Sequence, residues 1–155
     1  MGSKLNLDKL DLQIIQIMME DAGISYADLG KQLFVSGGTI HVRIKKLQEI
    51  GIVKGTRLNV DLKLLGYDIT AFVGIFLEKS SLYDQVAEDL KKIPEIVRVN
   101  YTTGNYSMFL EVVAKDITQL RFVLHDQLQK IKGIERTETF ISLDESFNRH
   151  VPVAG

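Results

Sequence analysis

Apolar positions along the chain repeat with two different periods, and the change falls near Tyr67. Before it the spacing is three and four, which is the signature of helices with one buried stripe. Leu7 to Glu20 carries Leu7, Leu10, Ile14, Ile17 and Met18 on one side, with Asp8 and Asp11 near the start, where carboxylates suit the helix dipole. Ser25 to Phe34 predicts a short second helix, capped by Ser25 with Asp28 three residues on, its apolar side made of Ala27, Leu29, Leu33 and Phe34. Ser36 caps a third helix that puts Ile40, Ile44 and Leu47 inward and stops at Gly51, where a positive φ is wanted. Ile52-Val53 and Leu58 to Val60 predict two short strands around a turn at Lys54-Gly55-Thr56-Arg57.

After Tyr67 the period drops to two. Asp68 to Glu78 predicts a strand with Ile69, Ala71, Val73, Ile75 and Leu77 on one face. Thr70, Phe72, Gly74 and Phe76 make the other face nearly as apolar, so it needs cover on both sides, and a partner subunit is the expected second cover. A helix over Leu82 to Ile93 follows, then strands at Val97 to Thr103 and Ser107 to Val113 around a turn at Gly104-Asn105-Tyr106. A helix over Ile117 to Ile131 and a strand over Ile134 to Leu143 complete the order. Strand, helix, strand, strand, helix, strand is the ferredoxin-like split βαβ arrangement. The expected class is therefore α+β. A winged helix-turn-helix occupies residues 1–61, with wing and linker to about 67, and a ferredoxin-like βαββαβ domain occupies 68–155, its tail mobile from Asp144.

The overall charge is −1 and says nothing of a polyanionic partner. Its distribution does. Between Ser36 and Arg57 there are five basic residues, Arg43, Lys45, Lys46, Lys54 and Arg57, against one acid, Glu49. A solvated helix face would also look like this, but a basic second helix behind a tight turn is what a duplex-binding module presents. Ser36, Gly37, Gly38, Thr39, His41, Val42 and Lys45 are expected to face DNA. Thr39 and His41 supply hydrogen bonds, and Val42 meets a thymine methyl. Arg43, Lys46, Lys54 and Arg57 are expected at phosphates, although Arg43 has the alternative of pairing with an acid inside the module.

The chain has no cysteine, which excludes disulfides and thiolate metal sites. His125 and His150 lack neighbours at metal-ligand spacing. There is no Ser/His/Asp set, no phosphate-cradling glycine loop and no dinucleotide fingerprint, so no catalytic residue, metal or cofactor is expected. Neither a membrane-spanning run nor a signal-like N-terminus is visible, and the expected location is the cytoplasm.

Leu7-Asp8-Lys9-Leu10-Asp11, the stretch Ser36 to Gly51, and Leu65-Gly66-Tyr67-Asp68 resemble the Lrp/AsnC family of transcriptional regulators. Gly38-Thr39-Ile40-His41-Val42-Arg43 and Tyr101-Thr102-Thr103-Gly104-Asn105-Tyr106-Ser107 are similar to its asparagine-responsive subtype. The resemblance implies a homodimer that assembles further, to an octamer, with an amino-acid effector bound between dimers. It places the effector at Tyr101, Thr102, Gly104, Tyr106 and Ser107, with Gln129 reaching in across an interface. Many members carry an acid where this chain has Ser107; a neutral hydroxyl there suits an uncharged polar effector such as asparagine. Without the resemblance, an ordinary hairpin with packed tyrosines explains the same residues. A DNA-wrapping architectural protein that ignores small molecules is the competing reading of the whole chain.

Overall fold

The computed structural model describes residues 6–155; residues 1–5, where the first expected domain begins, lie outside it. The chain forms two compact units. One comprises the described residues up to Asn59 together with Phe147–Gly155, and the other is Val60–Ser146. The boundary sits inside the expected wing, and the C-terminal segment belongs to the first unit rather than trailing from the second. There the Val153 N–H donates to Gln16 Oε1 at 2.7 Å.

In the first unit, α1 spans Lys9–Glu20, α2 Tyr26–Leu33 and α3 Gly37–Glu49. Each begins on a side-chain cap that satisfies an otherwise orphaned N–H. Asp8 and Asp11 form a reciprocal capping box, Ser25 accepts from the Asp28 N–H, and Ser36 accepts from the Thr39 N–H. Ile14, Leu29, Ile40 and Ile44 are the buried centre, with Leu47 also buried. The second and third helices meet at glycines. A Cβ on Gly30 would lie 2.6 Å from the Val35 carbonyl oxygen and 3.1 Å from the Gly37 nitrogen.

Two expectations fail here. Phe34 is not in the core: it ends α2 with φ 58° and is 94% exposed. Ile52-Val53 and Leu58 to Val60 form no strand pair. The Ile52 and Val53 N–H groups both donate to the Leu47 carbonyl, at 3.0 and 3.1 Å, so they close the end of α3 and are lost to a ladder. Leu58 is left 89% exposed, and a two-residue strand has too few bonds to hold alone.

The second unit is a four-stranded antiparallel sheet, β1 Ile69–Leu77, β2 Ile96–Tyr101, β3 Met108–Ala114 and β4 Ile134–Ile141, in the order β2-β3-β1-β4. With α4 (Tyr83–Leu90) and α5 (Ile117–Phe122) in the crossovers, this is the ferredoxin-like arrangement. Ala71, Val73 and Ile75 of β1 and Leu110 and Val112 of β3 pack against Val86, Leu90, Leu120, Val123 and Leu128 from the helices. The helix expected over 117–131 changes its winding part-way. Val123–Gln127 is π-helical and Leu128–Lys130 is a 3₁₀ turn. An α-helix would set residues five apart about 140° apart around its axis. The wider turn, closed by the Leu128 N–H on the Val123 carbonyl, lets both side chains bury fully. The first helix is likewise divided, a 3₁₀ turn at Ser80–Leu82 leading into α4.

The sheet's other face carries Phe72, Phe109 and Phe140, which with Tyr106 line an open apolar hollow of about 410 Å³. Tyr106 lies over Gly74, whose added Cβ would meet the ring at 2.4 Å, and the Arg136 guanidinium sits 3.7 Å from the Phe76 ring centre.

Gly30→Ala is expected to lower stability by roughly 2 kcal/mol, because the new methyl meets backbone that cannot rotate away. Gly38→Ala, whose Cβ would meet only Ser36 Oγ at 3.7 Å, is expected to raise it by about 0.5–1 kcal/mol. Denaturant unfolding of the two variants beside the wild type checks both signs.

Candidate nucleic-acid interface and effector hairpin

Helix α3 divides by its own period. Ile40, Ile44 and Leu47 are buried, while Gly38, His41, Val42, Lys45 and Lys46 are exposed. Val42, apolar and 66% exposed, has no partner in the core. The His41 ring lies 5.8 Å from that of Tyr26, which steadies it at the surface. Thr39 and Ser36 share a hydroxyl–hydroxyl bond of 2.9 Å, so both are oriented by the cap itself. The first turns of α1 and α2 contain the acids Asp11 and Asp28, whereas that of α3 contains none. The positive end of its dipole therefore remains available to an outside anion. Lys45, Lys46, Lys54 and Arg57 are exposed and make no ion pair among the described residues.

Two residues expected at DNA are placed elsewhere. Gly37 faces α2: a Cβ there would sit 3.4 Å from the Ala27 backbone, so its smallness serves helix packing. Arg43 takes the alternative of an internal acid. Its guanidinium donates to Asp8 and, at 3.0 Å, to Asp11. The Asp11 side chain is only 4% exposed. The arginine holds the Asp8 carboxyl below its usual 3.8, helped by the Asp11 N–H.

The hairpin expected around Gly104 forms, and it is self-contained. Gly104 makes the turn at φ 98°. The Thr102 N–H donates to the Ser107 carbonyl at 3.1 Å, and the Thr102 hydroxyl donates to the Tyr106 carbonyl at 2.8 Å. Ser107 is tied to β1 twice: its N–H donates to the Ile75 carbonyl at 2.8 Å, and its hydroxyl accepts from the Leu77 N–H at 3.3 Å. That hydroxyl keeps its proton for a further acceptor. Tyr106 is different. Its hydroxyl donates to Glu138 at 2.7 Å, which raises its pKa above the usual 10, so the hydroxyl is engaged within the sheet. Tyr101 is exposed and leans on Tyr83, ring centres 4.4 Å apart. Gln129 is exposed on the 3₁₀ turn. Tyr101 to Ser107 thus share one hairpin, and Gln129 makes no hydrogen bond to it among the described residues.

Two family models match the chain: a winged helix-turn-helix DNA-binding model over residues 7–54, and an Lrp/AsnC ligand-binding-domain model over residues 70–152, which runs past Ser146 into the segment that folds with the first unit. The regulatory protein AsnC of Haemophilus influenzae is 42% identical over 146 residues, covering 94% of this chain and 97% of that one. AsnC of Escherichia coli is 40% identical over 145 residues, covering 94% and 95%. The chain belongs to the Lrp/AsnC family. The solved structure of Escherichia coli AsnC agrees, with a TM-score of 0.90 at 38% identity over 96% of this chain and 99% of that one. As a member of that family the protein is a DNA-binding transcriptional regulator with a ligand-binding second unit, and its relatives are named regulators rather than enzymes. No helix among the described residues is long and apolar enough to cross a membrane.

Asp8, Asp11 and Arg43 make a set that sequence reasoning found only in part. The capping-box spacing of the two acids is local, but their cation lies 35 and 32 residues away. Arg43→Ala leaves Asp11 buried without its cation. The expected loss is roughly 2–3 kcal/mol, less than for a fully buried pair because the guanidinium is 30% exposed. Because the folded pKa of Asp8 is depressed, its stabilisation is complete above about pH 5 and is lost as pH falls through 3.8 and below. Unfolding curves between pH 3 and 7 check this: the acid loss present in the wild type is expected to flatten in Arg43→Ala.

Proposed function

We propose that this regulator is a cytoplasmic sensor of asparagine. It works as a homodimer, assembled to an octamer, whose paired α3 helices read two half-sites of double-stranded DNA. Gly38, Thr39, His41, Val42 and Lys45 face the groove; Lys46, Lys54 and Arg57 meet phosphates. The amino acid is held at the turn Tyr101 to Ser107. What supports this ligand is Ser107: a neutral hydroxyl, held by the Leu77 N–H, with its proton left to donate. An ammonium-seeking carboxylate is absent there, and a carboxamide or carboxylate oxygen is a fitting acceptor. Thr102 and the backbone around Gly104 frame the same corner, and Gln129 of a neighbouring chain completes it. The ligand biases DNA binding through its different affinities for two assemblies.

Native mass spectrometry with each of the twenty amino acids tests the sensor. A discrete oligomer that takes up asparagine, one per hairpin, is the expected result. An oligomer that takes up none, together with long phased footprints indifferent to any amino acid, would replace the sensor with a DNA-wrapping protein. For the DNA face, Lys45→Ala is expected to lower the salt slope of binding by about one unit while leaving thermal stability unchanged. A slope equal to that of the wild type would remove Lys45 from the interface.

A further inference from the structure

Phe34 is exceptional in both backbone and exposure. Six described residues have positive φ; five are Gly51, Gly55, Gly66, Gly104 and Gly133, and the sixth is Phe34. The turn that demands it occurs three times among the described residues. In each, one N–H reaches back five residues and the preceding N–H reaches back three. Ile52 bonds to Leu47 and Gly51 to Gln48, both at 3.0 Å; Tyr67 bonds to Leu62 and Gly66 to Lys63, both at 2.9 Å. At the end of α2, Val35 bonds to Gly30 at 2.9 Å and Phe34 to Lys31 at 3.4 Å. Glycine fills the left-handed position in two of these turns. In the third the chain accepts a Cβ where it is sterically disfavoured.

Burial does not offset that cost. The ring is 94% exposed, and it is Val35, not Phe34, that packs on the core. A strained backbone that displays a large apolar group to solvent points to use of the group. Its location says by what. Phe34 stands two residues before Ser36, the cap of α3, on the turn that feeds the exposed face carrying Gly38 and Val42. It thus immediately precedes in the chain the helix whose outward face is proposed above to meet DNA, and the inference rests on that reading. A phenyl ring cannot bond a phosphate, and the apolar features that a duplex offers at that edge are the thymine methyl and the deoxyribose.

We infer that Phe34 is a further DNA-contacting residue, its ring resting on a thymine methyl or the adjoining sugar beside the bases read by α3. Glycine at this position would relieve the backbone and delete the contact, so stability and affinity move in opposite directions. A purely structural role moves them together.

The test uses the full chain, its Phe34→Gly and Phe34→Asn variants, and a duplex selected by the wild type from a random pool. Phe34→Gly is expected to raise the unfolding midpoint by about 2–4 °C. Its affinity for the duplex is expected to fall roughly fivefold or more, with the salt slope unchanged because no charge is altered. Phe34→Asn, which tolerates the left-handed backbone but is not apolar, is expected to lose affinity equally. Replacing thymidines one at a time by deoxyuridine separates the two contacts. A position sensitive in the wild type and insensitive in Phe34→Gly identifies the methyl; lost affinity with no such position identifies the sugar. Wild-type affinity in either variant overturns the inference. So does a loss of affinity that comes with a changed oligomer mass, since the ring would then join chain to chain.

Discussion

One cation holds α3 in place. Arg43 of α3 binds the two aspartates that already cap α1, so a single guanidinium ties the helix proposed to meet DNA to the first turn of the helix behind it. Asp11 is buried and cannot be left unpaired cheaply, which makes the link a requirement of the fold rather than a surface ornament. Residues two apart on a helix point about 200° apart, so with Arg43 turned inward, His41 and Lys45 on either side of it are turned outward. The buried stripe of Ile40, Ile44 and Leu47 sets the same orientation through packing. Gly30 and Gly37 let α2 lie close enough for the geometry to hold. The exposed face of α3 is thus a consequence of what its other face is tied to.

In the hairpin of the second unit the polar groups are already satisfied. The hydroxyls of Thr102, Tyr106 and Ser107 all have partners inside the protein, which fixes the hairpin's shape ahead of any ligand. Tyr106 is committed furthest, anchored to Glu138 and lying over Gly74, and it belongs to the apolar face of the sheet more than to the corner at Gly104. Ser107 keeps a proton to give. Burial within this chain covers only one face of the sheet, and Phe140, 48% exposed, shows that the other face still has apolar surface to cover. A face of this kind fits a chain that assembles with copies of itself.

Local signals are legible in the amino-acid pattern itself. The three-four spacing of Ile40, Ile44 and Leu47, the caps at Ser25 and Ser36, and the period-two run of β1 all appear as the pattern predicts. Gly51 and Gly104 stand at the positive φ that their places imply. The departures share a cause, which is that a partner distant in the chain or an irregular turn decides the outcome. Arg43 reads as one more basic residue until Asp8 and Asp11 are brought beside it. Phe34 reads as core beside Leu33, and only a left-handed residue ending α2 turns it out to solvent. Ile52 and Val53 have strand composition, but their N–H groups are taken by Leu47. The tail from Asp144 reads as loose, yet Phe147–Gly155 joins the first unit, with Val153 bonded to Gln16.

In the proposed function the outward face of α3, and not the rest of a nearly neutral surface, is what meets DNA. Lysine acetylation footprinting with and without a duplex selected by the protein tests it most directly. Lys45 and Lys46 are exposed on α3, and Lys130 and Lys132 are likewise exposed in the second unit. The duplex is expected to suppress acetylation of Lys45 and Lys46 and to leave Lys130 and Lys132 as reactive as without it. Protection of Lys130 and Lys132 with Lys45 and Lys46 still reactive would contradict the proposed function.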